Sequence, residues 1–560
     1  MDKHNIASKL LAQATRLHTL GDTKEAKFIY LSLIRSENHS EIVYSNLGLI
    51  FQAEGDKERA LKYFKRAIKI NPNFADAHLN IGSLYSEMGR KDKAISCLQR
   101  SISLKPESDI AYLNLGCIYA DQGDYARALS FTLKSYKINP NNPSTLTNLG
   151  NIYLTVGKAN EAVIYFQESL KREPTNDAVL AKLGGIFIGQ KQPKKAIKIL
   201  RDSLNISPRN PIALANLGVS YKLLGKMELA VTLFVKSLEL NPDNPVVNMN
   251  LGIVYELLYK LDLALSCYVK SAKLFSKERD GSSLTSLISS SIILIHLGKI
   301  DDAWINLRSA AVVAASAQPL KNYSKGNESN DNAYMKFLGA LIPLIPRKND
   351  YSCPKILHIG DSHCLSFSHQ IVSLGNQNFE IKPCLVMGTK AYHLGNESPN
   401  NAFQLAFINR IKENFDRSRY LLLSFGEIDC REAEGIIPYC LKTGKNIQEV
   451  STTTAERYVR WISRILKDFS GKVILLGVAA PSRVRSENHS SLKANSVRPA
   501  AISSFNSALR DTCISSKMIF LDVFELTADQ DGFNNEKWML DGVHLKPGAI
   551  HCLLSSYMVE

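Results

Sequence analysis

The chain has 560 residues, of which 45% are apolar and 22% charged, and its formal net charge is +15. That length is too great for one hydrophobic core and that composition excludes wholesale disorder, so two or more folded domains are expected. The basic charge favours acidic partners. Because Lys and Arg are scattered and accompany no nucleic-acid motif, no nucleic-acid partner is predicted.

The cysteines and the N-terminal residues indicate the cellular compartment, and the motif content indicates which cofactors to expect. The ten cysteines form no CxxC pair and no metal-ligand cluster, a usage that fits a reducing cytoplasm. Residues 1–14 lack the apolar core of a signal peptide, and no apolar run reaches the roughly 20 residues of a membrane span. We therefore expect a cytoplasmic protein without a membrane span. No phosphate loop or dinucleotide fingerprint is present, so neither a cofactor nor a metal is predicted.

From the N-terminus onward, the sequence repeats every 34 residues. Each unit has a glycine after Leu or Ile, an aromatic residue three positions later, an alanine twelve positions after the glycine, and usually a closing proline. Small residues let two helices approach, the aromatic residue fills the space between them, and proline ends the second helix. The glycines are Gly48, Gly82, Gly116, Gly150, Gly184, Gly218 and Gly252, and the first and last prolines are Pro72 and Pro242.

These residues resemble the tetratricopeptide repeat. The pattern extends back to Gly21 and forward to Gly298, so about eight or nine units are predicted within residues 1–315. The resemblance implies an α-solenoid, a tetratricopeptide superhelix whose concave groove binds a protein or peptide.

A column of asparagines stands two positions before the repeat glycine. An amide donates and accepts at once, so it can hold a peptide backbone without selecting a side chain. In scaffolds similar to that of O-GlcNAc transferase, an asparagine at this position lines the groove and binds a peptide. The alternative is that Asn-Leu-Gly is simply the most frequent sequence at this position of the repeat. The column comprises Asn46, Asn80, Asn114, Asn148, Asn216 and Asn250, and Lys182 interrupts it.

Residues 316–354 are predicted to be a linker and packing segment. Residues 316–332 are rich in Ser, Asn, Lys and Gly and have little periodicity, which is typical of a linker. Ala333–Pro346 is apolar and ends in proline, so it is expected to pack the last repeat against the next domain.

Residues 355–560 are predicted to form an α/β domain. Apolar runs alternate with helical stretches, which implies a doubly wound parallel sheet with sites beyond the carboxyl ends of its strands. The predicted strands are Lys355–Gly360, Phe379–Met387, Tyr420–Phe425, Lys472–Val478 and Met518–Phe524, and the helical stretches include Ala402–Asn414, Thr454–Phe469 and Ala500–Ser515.

Two motifs bracket this domain. The first strand ends in Gly360-Asp361-Ser362-His363, and Asp541-Gly542-Val543-His544 lies near the C-terminus. A serine on a tight turn at a strand end is exposed as a nucleophile, and Asp and His three positions apart can lie on one side of a turn. In this order, the motifs resemble those of the SGNH/GDSL hydrolase superfamily.

The resemblance implies a flavodoxin-like α/β fold that hydrolyses an ester. It assigns Ser362 as nucleophile, His544 as general base and Asp541 as the partner of the base. Backbone N–H groups of Ser362 and of Gly388, or of Gly395 in its place, would bind the oxyanion. Polar residues near the third conserved block favour a small polar ester or an acylated glycan, such as an O-acetyl group on a sugar.

The third block departs from the family pattern. It is Gly426-Glu427-Ile428-Asp429, so Ile428 stands where the family has an asparagine that completes the oxyanion hole. Losing one such donor typically lowers turnover by about 10²–10³, which makes a catalytically silent scaffold the alternative function. Glu427, Asp429 and Arg431 bind a polar substrate or form a structural ion pair, and with Gly426 they are candidate substrate-binding residues.

Residues beside Ser362 complete the candidate site. His363 replaces the leucine of GDSL, and it contacts substrate or caps the following helix. Asp361 is a candidate substrate-binding residue with it. Cys364 is not predicted to be the nucleophile, because Ser362 holds the motif position.

Overall fold

A computed structural model gives the arrangement of most of the chain. Contacts divide the chain into two compact units: Met1–Gln190 with Asn205–Pro208, and Lys191–Leu204 with Arg209–Glu560. The described residues are 3–36, 40–275, 283–316, 325–347, 353–386, 394, 402–413, 418–426, 435–482, 489–541 and 543–557.

The repeats consist of paired helices. Asp56 and Asp124 begin second helices of their pairs, because each side chain accepts a hydrogen bond at 2.9 Å from the backbone N–H three residues later. Gly55, with φ +81°, makes the tight turn before one of them. The helices are Lys3–Thr19, Thr23–Arg35, Glu41–Ala53, Lys57–Ile70, Ala75–Glu87, Lys91–Leu104, Asp109–Asp121, Tyr125–Ile138, Pro143–Thr155, Ala159–Arg172, Asp177–Gly189, Pro193–Ile206, Pro211–Leu223, Met227–Leu240, Pro245–Leu257, Leu261–Phe275, Leu284–His296 and Ile300–Ser316.

Within the first unit, the repeat glycine marks where two paired helices touch. A Cβ atom on Gly150 would lie 2.6 Å from the ring of Phe166, which is fully buried in the second helix of the pair. The aromatic residue three positions after the glycine has a different neighbour: Tyr153 stacks on Tyr165, with ring centroids 5.3 Å apart. In this pair, two aromatic contacts therefore fill the space for which the sequence predicted one aromatic residue; Leu98 and Thr132 take the place of Phe166 against Gly82 and Gly116.

The second unit contains a six-stranded sheet of order β2-β3-β1-β4-β5-β6. All neighbours pair in parallel except β2, an edge strand that runs antiparallel to β3. The strands are β1 (Lys355–Gly360), β2 (Ile371–Leu374), β3 (Gln377–Leu385), β4 (Ser418–Ser424), β5 (Lys472–Leu476) and β6 (Ile519–Leu521).

Helices cover both faces of this sheet. Leu357, from β1, lies in a core with Phe407 and Trp461, whereas its neighbour Ile356 lies in another core with Ile550. Successive strand residues point to opposite faces, so the two cores lie on opposite sides. The helices of the sheet domain are Ala402–Lys412, Ile436–Thr443, Ile447–Ile465, His489–Ser515, Val523–Thr527 and Ala549–Tyr557.

Each predicted apolar run contains a strand, with two differences. The edge strand β2 was not predicted, although Gly375-Asn376 before β3 is a hairpin signal, and Gly375 has φ +62°. The run Met518–Phe524 is a strand only as far as Leu521, because the Asp522 side chain accepts a hydrogen bond from the N–H of Glu525 and begins a helix there.

A helix between the repeats and the sheet, Lys325–Leu341, is called the junction helix here; a 3₁₀ turn, Ile342–Leu344, follows it. Its residues Phe337, Leu338 and Leu341 are buried in one core with Ile288 of the last repeat and Leu365 from the segment after β1. The last repeat, the junction helix and the sheet domain therefore share a hydrophobic core. No helix in the described ranges is long and apolar enough to cross a membrane.

Candidate functional site

The turn after β1 presents Ser362. A Cβ atom on Gly360 would lie 2.6 Å from the Ser424 carbonyl oxygen, so only glycine fits where β1 and β4 run side by side. The N–H of Asp361 donates to the same carbonyl at 3.2 Å. The Asp361 side chain then accepts from the N–H of His363 at 3.0 Å and begins the 3₁₀ helix Ser362–Phe367. Ser362 thus opens a turn at the carboxyl end of a central strand.

A second turn holds Asp541 and His544. Its base is closed by hydrogen bonds from Lys546 N–H to the Trp538 carbonyl and from Leu540 N–H to the His544 carbonyl, both 2.7 Å. Asp541 Oδ1 accepts from the N–H of His544 at 2.8 Å, which brings the two side chains to one side of the turn.

The two turns meet through the His544 imidazole. Its Nε2 lies 2.8 Å from Ser362 Oγ, across 182 residues of sequence, and its Nδ1 lies 2.8 Å from Asp541 Oδ2. The carboxylate can only accept, so Nδ1 carries the proton and the neutral ring offers Nε2 as an acceptor to the Ser362 hydroxyl. This is the geometry that a serine nucleophile and a general base require.

The electrostatics favour a neutral base beside an ionised carboxylate. Burial alone would raise the pKa of Asp541, but the hydrogen bonds and charge of His544 outweigh it and lower that pKa to about 2. Burial lowers the pKa of His544, although the Asp541 carboxylate partly opposes this shift. At neutral pH the imidazole is therefore uncharged and able to take a proton.

His363 links the two turns. Its Nδ1 lies 2.8 Å from Asp361 Oδ1, and its Nε2 lies 3.1 Å from the Val543 carbonyl oxygen. Both ring nitrogens therefore face acceptors. Burial alone would raise the pKa of Asp361, but the charge and hydrogen bonds of His363 outweigh it and lower that pKa. Asp361, and not His363, caps the following turn. A contact of either residue with substrate stays a prediction.

Two side chains near the site were not singled out from the sequence. Phe337, from the junction helix, stacks on the His544 ring with centroids 3.7 Å apart. His358, fully buried in β1, lies 2.9 Å from Ser424 Oγ through Nε2, and burial lowers its pKa to about 3. No periodicity or motif marks either residue, because both contacts depend on how distant segments pack.

The other residues predicted for the sheet domain are only partly described. Gly426 has φ +120°, and a Cβ atom there would lie 2.5 Å from the Phe505 ring, so glycine is required at this strand end. Among described residues, no group of three or more His, Cys, Asp or Glu side chains could hold a metal ion. Gly388, Gly395, Glu427, Ile428, Asp429 and Arg431 lie outside the described residues.

The asparagine column of the repeats is half-buried and bonded to neighbouring units. Asn114 Nδ2 donates to Ser83 Oγ at 2.7 Å, and Asn148 Nδ2 lies 3.2 Å from Cys117 Sγ, each in the preceding repeat. Lys182, which interrupts the column, makes the equivalent contact with Asn151 at 2.5 Å. Further contacts of the column are Asn46 to Tyr30, Asn80 to Ser45, and Asn250 to both Val246 and Lys222; Asn216 also has a partner.

A cavity of about 300 Å³ lies beside this column in the first unit. Asn148 and Asn151 line it together with Tyr125 and Asp121. Amide, phenol and carboxylate groups in one cavity can bind a polar chain such as a peptide backbone.

Comparison with known proteins identifies the repeats. Tetratricopeptide repeat family models match residues 42–74, 75–108, 110–142, 143–176 and 211–244. These matches confirm the predicted repeats, and the helical array that ends at Ser316 consists of tetratricopeptide repeats. A comparison with curated proteins finds no match.

Solved structures also match parts of this chain. YrrB, described as a tetratricopeptide repeat protein with an unusual peptide-binding site, is 20% identical, covers 33% of this chain and 95% of its own, and gives a TM-score of 0.30. PilF of Pseudomonas aeruginosa is 18% identical, with coverages of 38% and 96% and a TM-score of 0.35. The Cut9–Hcn1 hetero-tetramer of APC/C is 18% identical, with coverages of 47% and 52% and a TM-score of 0.39.

Proposed function

We propose that the sheet domain hydrolyses an ester by a Ser362–His544–Asp541 mechanism and that the repeats bind a protein or peptide. The observation that carries the catalytic part is the position of His544, whose two ring nitrogens lie 2.8 Å from Ser362 Oγ and Asp541 Oδ2. A serine at a strand end, a base within reach of it and a carboxylate that orients the base form the arrangement that serine hydrolases of several folds share.

The proposed reaction has two steps. Ser362 Oγ attacks the ester carbonyl carbon while its proton passes to His544 Nε2, and the bond to the leaving oxygen then breaks as Nε2 protonates that oxygen. Water next attacks the acyl carbon, transfers a proton to Nε2 and releases the acid, and that proton returns to Ser362 Oγ. Asp541 stabilises the transient imidazolium without taking up its proton.

The strand order supports an SGNH-type fold for this domain. Taken in chain order without the edge strand, the parallel strands stand in the order 2-1-3-4-5, which is the flavodoxin-like arrangement. In such sheets ligands bind beyond the carboxyl ends of the strands. Ser362 follows β1 at that edge, and Gly426 follows β4 there.

The proposed substrate is a polar ester, such as an O-acetyl group on a sugar. The polar residues Glu427, Asp429 and Arg431 follow β4 in sequence and support this choice. Backbone N–H groups of Ser362 and Gly388 would bind the oxyanion. Ile428 withholds the side-chain donor of the family pattern, so turnover about 10²–10³ below that of enzymes with the asparagine is expected.

Hydrolysis of p-nitrophenyl acetate and of acetylated sugars tests the catalytic part. The wild-type protein should turn over one of these esters, and Ser362→Ala should not. Ser366→Ala is the matched control, because Ser366 lies in the same 3₁₀ helix and its buried hydroxyl has no hydrogen-bond partner among the described residues. Equal turnover by wild type and Ser362→Ala would contradict the proposal.

The alternative, a silent scaffold, is favoured by Ile428 and needs a separate measurement. A fluorophosphonate probe followed by mass spectrometry reports whether Ser362 is nucleophilic, whatever the natural ester. Labelling of Ser362 in the wild type, but not in His544→Ala, supports an active site. No labelling and no turnover across a broad panel of esters would favour the scaffold.

The role proposed for the repeats rests on the asparagine column and the cavity beside it. Asn148 and Asn151 line that cavity in the first unit. Peptides selected from a displayed random library against the full chain should bind less tightly to the Asn148→Ala, Asn151→Ala double variant. Asn205→Ala, an exposed asparagine on a second helix, is the control. Unchanged affinity in the double variant would place the peptide elsewhere.

A further inference from the structure

We propose that Phe337, a side chain of the junction helix, is a positioning residue for His544. The site would then be completed by a segment outside the sheet domain. This inference rests on the proposed esterase function and extends it, since it assigns part of the site to the connection between repeats and sheet.

The stacking geometry restrains the imidazole in the one direction that its hydrogen bonds leave free. The bonds to Asp541 and Ser362 lie in the ring plane and hold the two nitrogens, but the ring can still tilt about the axis through them. The Phe337 ring lies 3.7 Å away, centroid to centroid, with an interplanar angle of 19°. A flat surface at that distance prevents the tilt, and displacements of about 1 Å can cost about 10²-fold in rate.

Phe337 can act in this way because it is itself packed in a hydrophobic core. Its side chain is only 1% exposed and lies in the core shared by the last repeat, the junction helix and the segment after β1. The junction helix is also tied to the last repeat by a 2.7 Å hydrogen bond from Thr285 Oγ1 to Asp331 Oδ2. The stacked ring therefore packs against a close-packed core, which resists its displacement.

The last repeat is joined to the sheet domain by buried hydrogen bonds as well. His369, which is buried next to β2, lies 2.7 Å from Glu380 Oε1 and 2.7 Å from the Ile295 carbonyl oxygen of the last repeat. His369, Glu380 and Ile295 are all buried, so water does not compete for these contacts. The contact between His369 and Ile295 holds the last repeat against the domain that carries His544.

Phe337 also shields one face of the imidazole from water. The charged or titratable groups that face His544 are Asp541, Asp361 and His363, all from the sheet domain. Replacing Phe337 with a side chain that leaves this face open would admit water and favour the imidazolium. The acid limb of the pH–rate profile would then move to higher pH.

The test uses the full chain with Phe337→Leu, which keeps an apolar side chain but removes the flat ring. Leu338→Ala is the matched control, because Leu338 is fully buried in the same core. Phe337→Leu should lower kcat for p-nitrophenyl acetate by about 10- to 10²-fold with little change in KM. The acid limb of the pH–rate profile of Phe337→Leu should also move to higher pH. Leu338→Ala should lower the melting temperature at least as much and leave the pH profile in place.

A second measurement does not depend on turnover. NMR of ¹³C-labelled histidines should show a ring-current shift of the His544 resonance that disappears in Phe337→Leu and persists in Leu338→Ala. An absent shift in the wild type, or equal changes of kcat and pH profile in both variants, would overturn the inference. A wild type with the shift but without esterase activity or probe labelling would overturn the proposed function and leave only the stacking, so the two failures are distinguishable.

Discussion

The contacts within the repeats and those within the candidate site differ in how far apart in sequence their partners lie. In the repeats, contacts join residues close in sequence, such as Gly150 and Phe166 in one pair or Asn114 and Ser83 in adjacent units, 31 positions apart. In the site, Ser362 and His544 are 182 positions apart, and His363 and Val543 are 180 apart. A contact made many times at one spacing leaves a period in the sequence, whereas a contact made once leaves only two short motifs.

The same difference predicts how each region responds to change. A repeat contacts mainly its neighbours, so damage to one unit is expected to stay local. In the candidate site, two turns are held together by a few hydrogen bonds, so loss of one bond is expected to displace Ser362 Oγ from His544 Nε2. Single substitutions in each region can therefore test this difference.

Asp541→Asn should have the largest effect. The amide would present the wrong partner to the Nδ1 proton of His544, so turnover should fall about 10⁴-fold while the fold is retained. Steady-state kinetics with p-nitrophenyl acetate measure this. Asp511→Asn, at an exposed position of the helix His489–Ser515, removes the same charge and should behave as wild type. A loss below tenfold in Asp541→Asn would speak against the triad.

His363→Phe should have the next largest effect. The variant keeps an aromatic ring but removes both ring nitrogens, so the Asp361 carboxylate and the Val543 carbonyl lose the imidazole. Among the described residues, the Asp361 side chain keeps only the backbone N–H of residue 363. The turns would separate, and kcat should fall by about 10²-fold. His551→Phe, at an exposed position, is the control. Unchanged kcat in His363→Phe would show that the bond between the turns is dispensable.

Gly150→Ala should destabilise the protein without affecting the site. The added methyl group meets the Phe166 ring at 2.6 Å, and overpacking of this kind costs about 1–3 kcal/mol. Urea denaturation followed by circular dichroism measures the loss, and turnover of the folded protein should not change. Gly189→Ala makes the same chemical change at a helical position with no atom within 4 Å, and should be neutral or stabilising. Equal losses in both variants would refute the packing explanation.

The pH dependence should show the smallest effect. The lowered pKa of His544 keeps the base neutral below its ordinary value of 6.5. Values of kcat/KM should therefore hold as the pH falls through 6.5 and decline only at the lower pKa. A midpoint above 6.5 would contradict the burial of the base.

The free energy of unfolding should also decrease as the pH falls. The folded protein keeps His358 neutral down to a pKa of about 3, whereas the unfolded chain protonates it near 6.5, so stability is lost as pH falls from about 6.5 towards 3.

Much of the fold could be predicted from the sequence because its signals are local. The repeat glycines predicted the helix pairs, and the apolar runs predicted strands such as β1 and β4 in nearly the observed bounds. The edge strand β2 was missed because it is short and lies close to β3. In the candidate site, the motifs marked Ser362 and His544, but the role of His363 could not be chosen, since its partner Val543 is remote in sequence.

The sequence alone was enough to predict the repeat period, the prolines that end second helices, and the two motifs that bracket the sheet domain. These depend on backbone preferences, capping side chains and apolar spacing, all of which act over a few residues. The tertiary structure was needed to show that the turns of Ser362 and Asp541 meet and that Phe337 covers the imidazole between them. Such contacts depend on strand order and on a shared core, which bring together segments that no local interaction relates.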